Sequence, residues 1–278
     1  AAGPACAFGM WLWAEKPRSV LRLSQGHLSL LEYCPRRYQH TILQSLSVPP
    51  SPDLLAAQQW GDRFHLLMQQ REMGLPIDPL LAADEELQTC LQQLKTTAPE
   101  LFDTGGETFR QSEHERSLVV QNYWLTGVYD LLRLWPDQAE IVDWKTYLQP
   151  RSFQRLRQEW QTRLYLYMLA ETTAYKPGSI TMVYWFVRAQ EPHSQTPTPQ
   201  QVRIPYSAAG HHQTQQDLER LTRQLTEFLA TGEPFPQIPV GSDKCNDCPF
   251  AVRCQRSFVR DTTIAALPSL DEIAEIPI

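Results

Sequence analysis

Two aspartates and one lysine carry the most chemistry in this chain. Asp130 closes the segment Thr126-Gly127-Val128-Tyr129-Asp130, and Asp143 and Lys145 lie in Ile141-Val142-Asp143-Trp144-Lys145. Both segments read as neighbouring strands. Asp143 and Lys145 are two residues apart, so on a strand they share a face. Carboxylates that converge can hold a divalent cation, and an ammonium beside them can stabilise a developing anion. That set suits hydrolysis of a phosphodiester. A surface charge pair would use the same residue types. However, Ile141, Val142 and Trp144 mark the strand as buried on one face, and buried charges require partners or a metal.

Further residues gain weight only in company. His65 sits on an amphipathic helix, where a histidine is more often a boundary residue than a ligand. Gln161 and Tyr165 are four apart and share a helical face that can orient a phosphate or a base. Cys245-Asn246-Asp247-Cys248 is a C-x-x-C pair, and Cys254 follows six residues later. Three thiols in so short a stretch point to metal or cluster binding. A closed all-thiolate site needs a fourth ligand, and Cys34, next to Pro35-Arg36-Arg37, is the best candidate. Such a site would clasp the two ends of the chain. Zinc and an iron–sulfur cluster both satisfy this spacing. Cys6 and Cys90 have no comparable context.

The elements that must position these groups follow from periodicity and punctuation. Leu28, Leu31, Tyr38 and Ile42 follow helical spacing, interrupted at Cys34-Pro35. Asp53 is expected to cap a second helix carrying Leu54, Trp60, Phe64, His65 and Leu67, and a third runs from Asp84 to Lys95. Residues Thr108–Val120, Leu125–Leu134 and Glu140–Thr146 read as an antiparallel meander, with turns at Gln121-Asn122 and at 135–138. One helix is expected from Ser152 to Glu171. A strand at Ser179–Arg188, a polar loop at Glu191–Gln200 and a short strand at Gln201–Ile204 come next. An amphipathic helix with Leu218, Leu221, Leu225 and Phe228 ends at Gly232.

The 278 residues are 42% hydrophobic and 20% charged, enough for one large core. A net charge of −6 excludes a uniformly basic surface, so any nucleic acid would have to bind in a local basic groove. Arg36 and Arg37, then Arg151, Arg155 and Arg157, then Arg253, Arg256 and Arg260 are candidate patches. Interleaved Tyr38, Phe153, Trp160 and Phe258 are candidate base-stacking rings. No apolar run reaches the roughly 20 residues of a membrane span. The segment Ala1–Trp13 lacks the basic n-region of a signal peptide, Met10 is a candidate start, and the protein is read as cytoplasmic.

Taken in order, these pieces resemble the RecB-type branch of the PD-(D/E)xK nuclease superfamily, which includes AddB-type nuclease domains and the exonucleases of CRISPR adaptation. The resemblance runs from about Leu23 to Cys254. It rests on LSLLEYCPRR at Leu28–Arg37, Gly61-Asp62-Arg63-Phe64-His65, the G-x-x-D of Gly127–Asp130, the D-x-K of Asp143–Lys145, the Q-x-x-x-Y of Gln161–Tyr165, and the terminal cysteines. It implies a restriction-endonuclease-like α/β core, a mixed sheet flanked by helices, over residues 23–260. That span includes a helical insertion at about 53–97 and a cysteine clasp at 245–254. An N-terminal extension (1–22) and an acidic tail (261–278) flank the core. It implies that His65, Asp130, Asp143 and the Trp144 carbonyl hold Mg²⁺ or Mn²⁺, that Lys145 positions or activates water, and that Gln161 and Tyr165 contact the DNA backbone or brace the site. Glu113 or Glu115 would add a carboxylate. A [4Fe-4S] cluster, rather than zinc, would sit on Cys34, Cys245, Cys248 and Cys254.

The activity so implied is metal-dependent exonucleolytic hydrolysis of DNA, on single-stranded ends, in repair or recombination. Trimming of DNA before CRISPR integration and a catalytically silent DNA-binding subunit are the alternatives. The chain departs from the family at Val128 and Tyr129, where a basic residue is often found. It also has no G-x-x-x-x-G-K-[ST] phosphate loop, so a helicase or a CRISPR integrase would be a separate partner.

Overall fold

The computed structural model describes residues 21–103, 105–190 and 198–256. Residues 1–20 of the extension, the acidic tail, Cys6, Phe258, Arg260 and most of the Glu191–Gln200 loop lie outside the described residues. In chain order the strands and α-helices are β1 (Leu21–Leu23), α1 (Gln25–Tyr33), α2 (Pro35–Tyr38), α3 (Pro52–Glu72), α4 (Asp78–Ala82), α5 (Glu85–Thr97), β2 (Phe109–Val120), β3 (Tyr123–Leu134), β4 (Ala139–Lys145), α6 (Phe153–Gln158), α7 (Trp160–Glu171), β5 (Ile180–Phe186), β6 (Gln200–Pro205) and α8 (Ala208–Thr231). The six strands form one mixed sheet, and the fold is restriction-endonuclease-like α/β.

Strand alternation splits the core into two layers. Ile141, Met182 and Tyr184 pack with α1, α7 and α8 on one face. Val142, Trp144, Val183 and Trp185 pack with α3 and α5 on the other. Sheets buried on both faces read as near-continuous apolar runs, as Ile180–Phe186 does.

The edges of β3 shape the site. β2 pairs antiparallel along its length, from Phe109↔Leu134 to Val120↔Tyr123. The opposite edge is shared. β1 runs parallel beside Tyr123–Leu125, and β4 runs antiparallel beside Leu131–Leu134. Between them, Thr126–Asp130 face no strand among the described residues, which leaves a notch in the sheet.

Several sequence expectations need correction. Leu21 and Arg22, assigned to the extension, belong to β1. The second helix is capped by Ser51, whose hydroxyl accepts from Leu54 N, with Pro52 in its first turn; Asp53 is already helical. The helix expected at 152–171 breaks at Glu159, which is extended (φ −66°, ψ 142°) and whose carboxylate binds Arg151 at 2.6 Å. That break lets Trp160 turn inward, its indole N–H donating to Glu32 at 2.8 Å. Tyr38 and Trp160 are buried, so neither can stack on a base.

Candidate active site

The notch in β3 gathers the predicted residues from both helical layers. α3 brings His65. Its Gly61 permits close approach, since a Cβ there would stand 3.0 Å from Thr146 Oγ1 just beyond β4. His65 Nδ1 lies 3.5 Å from Asp130 Oδ2. Ligand atoms of His65, Glu113 and Asp130 all fall within 4.8 Å of one another, the arrangement of a cation site. Of the two glutamates left open by the sequence, Glu113 is therefore the one that reaches this group.

Backbone geometry explains how Glu113 gets there. The β2–β3 ladder keeps its register on both sides of the Glu113/Asp130 rung, but that rung is missing, and Glu113 adopts φ +47°. The pleat changes phase at this point. Tyr129 and Leu132 face the α7 layer while Leu131 faces the α3 layer. Asp130 thus turns toward His65. A left-handed φ at a residue other than glycine is a local strain of the kind that clusters at functional sites, and composition gives no sign of it.

Asp143 and Lys145 point the other way, toward α7. Lys145 Nζ is 2.6 Å from Asp143 Oδ2 and donates to Gln161 Oε1 at 2.7 Å. Gln161 Nε2 donates to Asp143 Oδ1 at 2.5 Å. Asp130 Oδ2 also accepts the Trp144 N–H at 2.7 Å, which ties the two strands together at the notch. Tyr165 fills the open strand edge, because a Cβ on Gly127 would stand 2.7 Å from its ring. The glycine of G-x-x-D is required by that contact.

Electrostatics agree with the crowding. Burial, then the charge of Asp130, push the Asp143 carboxyl up to about 6, against the pull of Lys145. Burial lowers His65, but its hydrogen bond and charge interaction with Asp130, with Asp143 and Glu113 behind, outweigh that and raise it to about 9. Burial also raises Glu113, with Asp130 adding to the effect. Three carboxylates with excess negative charge are what a divalent cation would relieve. Asp143 Oδ2 is buried and has the Lys145 ammonium as its charge partner.

A model of the PD-(D/E)XK nuclease superfamily matches residues 22–255. The chain belongs to the PD-(D/E)XK nuclease superfamily. It is a nuclease by family, and its substrate class is nucleic acid. Among solved structures, a candidate exonuclease from Eubacterium rectale is 11% identical over 86% of this chain and 93% of its own, with a TM-score of 0.48. The protein SSO0001 is 11% identical over 88% of this chain and 91% of its own, with a TM-score of 0.36. Both are distant likenesses. No curated protein matches the chain. Among the described residues no helix of this nuclease is long and apolar enough to cross a membrane.

The four cysteines line one cavity with Tyr33, Phe250 and Arg256. Cys34 caps α2, its sulfur accepting from Arg37 N at 3.5 Å. Arg36 donates to the Phe235 carbonyl at 2.6 Å, and Arg256 to Gln237 and the Ile238 carbonyl, so these arginines tie the chain ends together. His40, which sequence reasoning passed over, is buried with Nε2 3.9 Å from Cys254 Sγ. Cys90 is a buried thiol bonded to the Val187 carbonyl, away from the cluster.

Proposed function

We propose that this nuclease is a metal-dependent DNA exonuclease that works on single-stranded ends in DNA repair or recombination. The observation that carries the reading is the meeting, at one notch, of the His65–Glu113–Asp130 group with the Asp143–Lys145–Gln161 chain. A histidine and hard carboxylate oxygens fit Mg²⁺ or Mn²⁺. His65, Glu113, Asp130 and Asp143 would hold the cation. When bound, it supplies neutralisation of charge on the scissile phosphate and on the leaving oxygen.

The chain's own residues supply the rest. Burial lowers the Lys145 pKa, but Asp143 more than offsets it, so the ammonium stays charged. It can donate to the attacking water and to the pentavalent phosphoryl oxygens. Gln161 fixes the Asp143 carboxylate and the ammonium by one amide. Tyr165 walls the notch and limits water behind the phosphate.

For the second site we assign a [4Fe-4S] cluster to Cys34, Cys245, Cys248 and Cys254. Four thiols on one cavity suit such a cluster, and zinc is the alternative that iron analysis would separate.

The nuclease reading is tested with strands labelled at either end and their matching duplex, incubated with Mg²⁺, Mn²⁺ or EDTA. Stepwise shortening of the single strand, dependent on the cation, is expected. Internal cuts would turn the assignment to an endonuclease, and inert DNA under every condition would overturn it.

A further inference from the structure

We infer that the exposed face of β1 and β3 beside the notch is a binding subsite for single-stranded DNA, in which Trp124 stacks on an unpaired base and Arg22 meets the adjacent phosphate. The inference rests on the nuclease reading and adds a location for the substrate strand.

Trp124, Thr126 and Val128 alternate along one face of β3, and the same face continues to Asp130. Six residues of strand place Trp124 about 20 Å from the cation group. They line a groove of about 510 Å³ that reaches Gly127 and Tyr165 at the notch. Trp124 is 39% exposed, whereas Trp60, Trp144, Trp160 and Trp185 are all buried. Val128 on the same face of β3 and Val119, paired with Trp124 across β2, are exposed with it, so the indole belongs to an apolar patch rather than standing alone.

Its neighbour supplies the charge. Arg22 pairs with Trp124 across β1–β3, and its guanidinium lies 5.0 Å from the indole centroid. It makes no ion pair among the described residues. The groove's other guanidinium, Arg116, is engaged by Thr172 and His114. The carboxylate on this face, Glu115, lies on β2 opposite Val128, so phosphates are drawn to the β1 side. Aromatic stacking accepts any base, and a nearby cation holds the backbone without reading sequence. A paired base offers no free ring face, so the subsite selects single strands.

The test is equilibrium binding of a fluorescent oligothymidylate to the full chain in EDTA, where turnover cannot interfere. Trp124→Ala should weaken binding about 5- to 100-fold, and Trp124→Phe should retain most of the affinity. Arg22→Ala should weaken binding and reduce the salt slope by about one. Unchanged melting temperatures confirm that the variants fold. Trp124→Ala binding as tightly as wild type overturns the subsite and leaves the nuclease reading standing. So does a wild type with no measurable affinity for the oligonucleotide. Absence of cleavage under any cation would sink the nuclease reading instead, while the binding comparison would still decide the subsite.

Discussion

Gln161 is the residue on which the catalytic pair depends. Its amide satisfies Lys145 and Asp143 together; Asp143 is buried and Lys145 half-buried beside it. Gln161→Ala should lower turnover roughly 10- to 100-fold, as loss of supporting hydrogen bonds does at metal sites, with DNA affinity little changed; steady-state kinetics separates the two. Gly127→Ala should be more disruptive to structure, because its methyl would displace the Tyr165 ring. Overpacking of that kind costs about 1–3 kcal/mol, readable as a lowered urea midpoint together with reduced cleavage. The raised Asp143 carboxyl makes a linkage prediction for the metal-free protein. Between its ordinary value of 3.8 and about 6, the folded state holds a proton that the unfolded state has released. Stability therefore falls as pH rises through that window. Asp143→Asn should lack this contribution, so in EDTA the variant gains on wild type from pH 4 to pH 6; parallel melting curves for the two would refute the assignment.

At the scale of elements, the notch is braced by a charge network. Arg133 pairs with Glu107 at 2.5 Å and with Glu140 at 3.2 Å, and Arg110 links Glu107 to Glu72 of α3. These groups are mostly enclosed, so removing one partner strands the others. Glu107→Ala should cost about 3–5 kcal/mol, measured by chemical unfolding. The sequence displayed the strands that carry Asp130 and Asp143 because hydrophobic alternation and the Gln121-Asn122 turn are local signals. It displayed Gln161 and Tyr165 because their spacing matches a helical face. It concealed β1, whose three residues have too little pattern to register and are held by β3. It concealed the break at Glu159, because Phe153–Glu171 keeps a helical stripe through it. It left Glu113 and Glu115 equivalent, since only the φ of +47° at Glu113 distinguishes them. Trp124 was hidden for a similar reason: an aromatic residue in an alternating strand signals a core until the opposite layer is seen to stop short of it.

For the whole molecule, the cysteine cavity joins the start of the fold to its end. Cys34 follows β1 and α1 and precedes the other five strands, and Cys245, Cys248 and Cys254 come after α8, while Arg36 and Arg256 bind the Phe235–Ile238 linker beside them. Cys34→Ala should therefore lose iron and expose residues near 240–256 to protease, with the catalytic notch still able to bind Mn²⁺. Iron analysis and limited proteolysis check this, and full iron content in the variant would remove Cys34 from the ligand set. The central claim is that the notch in β3 is a cation-dependent nuclease centre. Its most direct test is cleavage of end-labelled single-stranded DNA by wild type and Asp143→Ala, purified alike, with Mn²⁺, Mg²⁺ or EDTA. Shortening by wild type with a cation, none in EDTA and none by the variant is the expected result; cleavage by Asp143→Ala at the wild-type rate would rule the notch out as the nuclease centre.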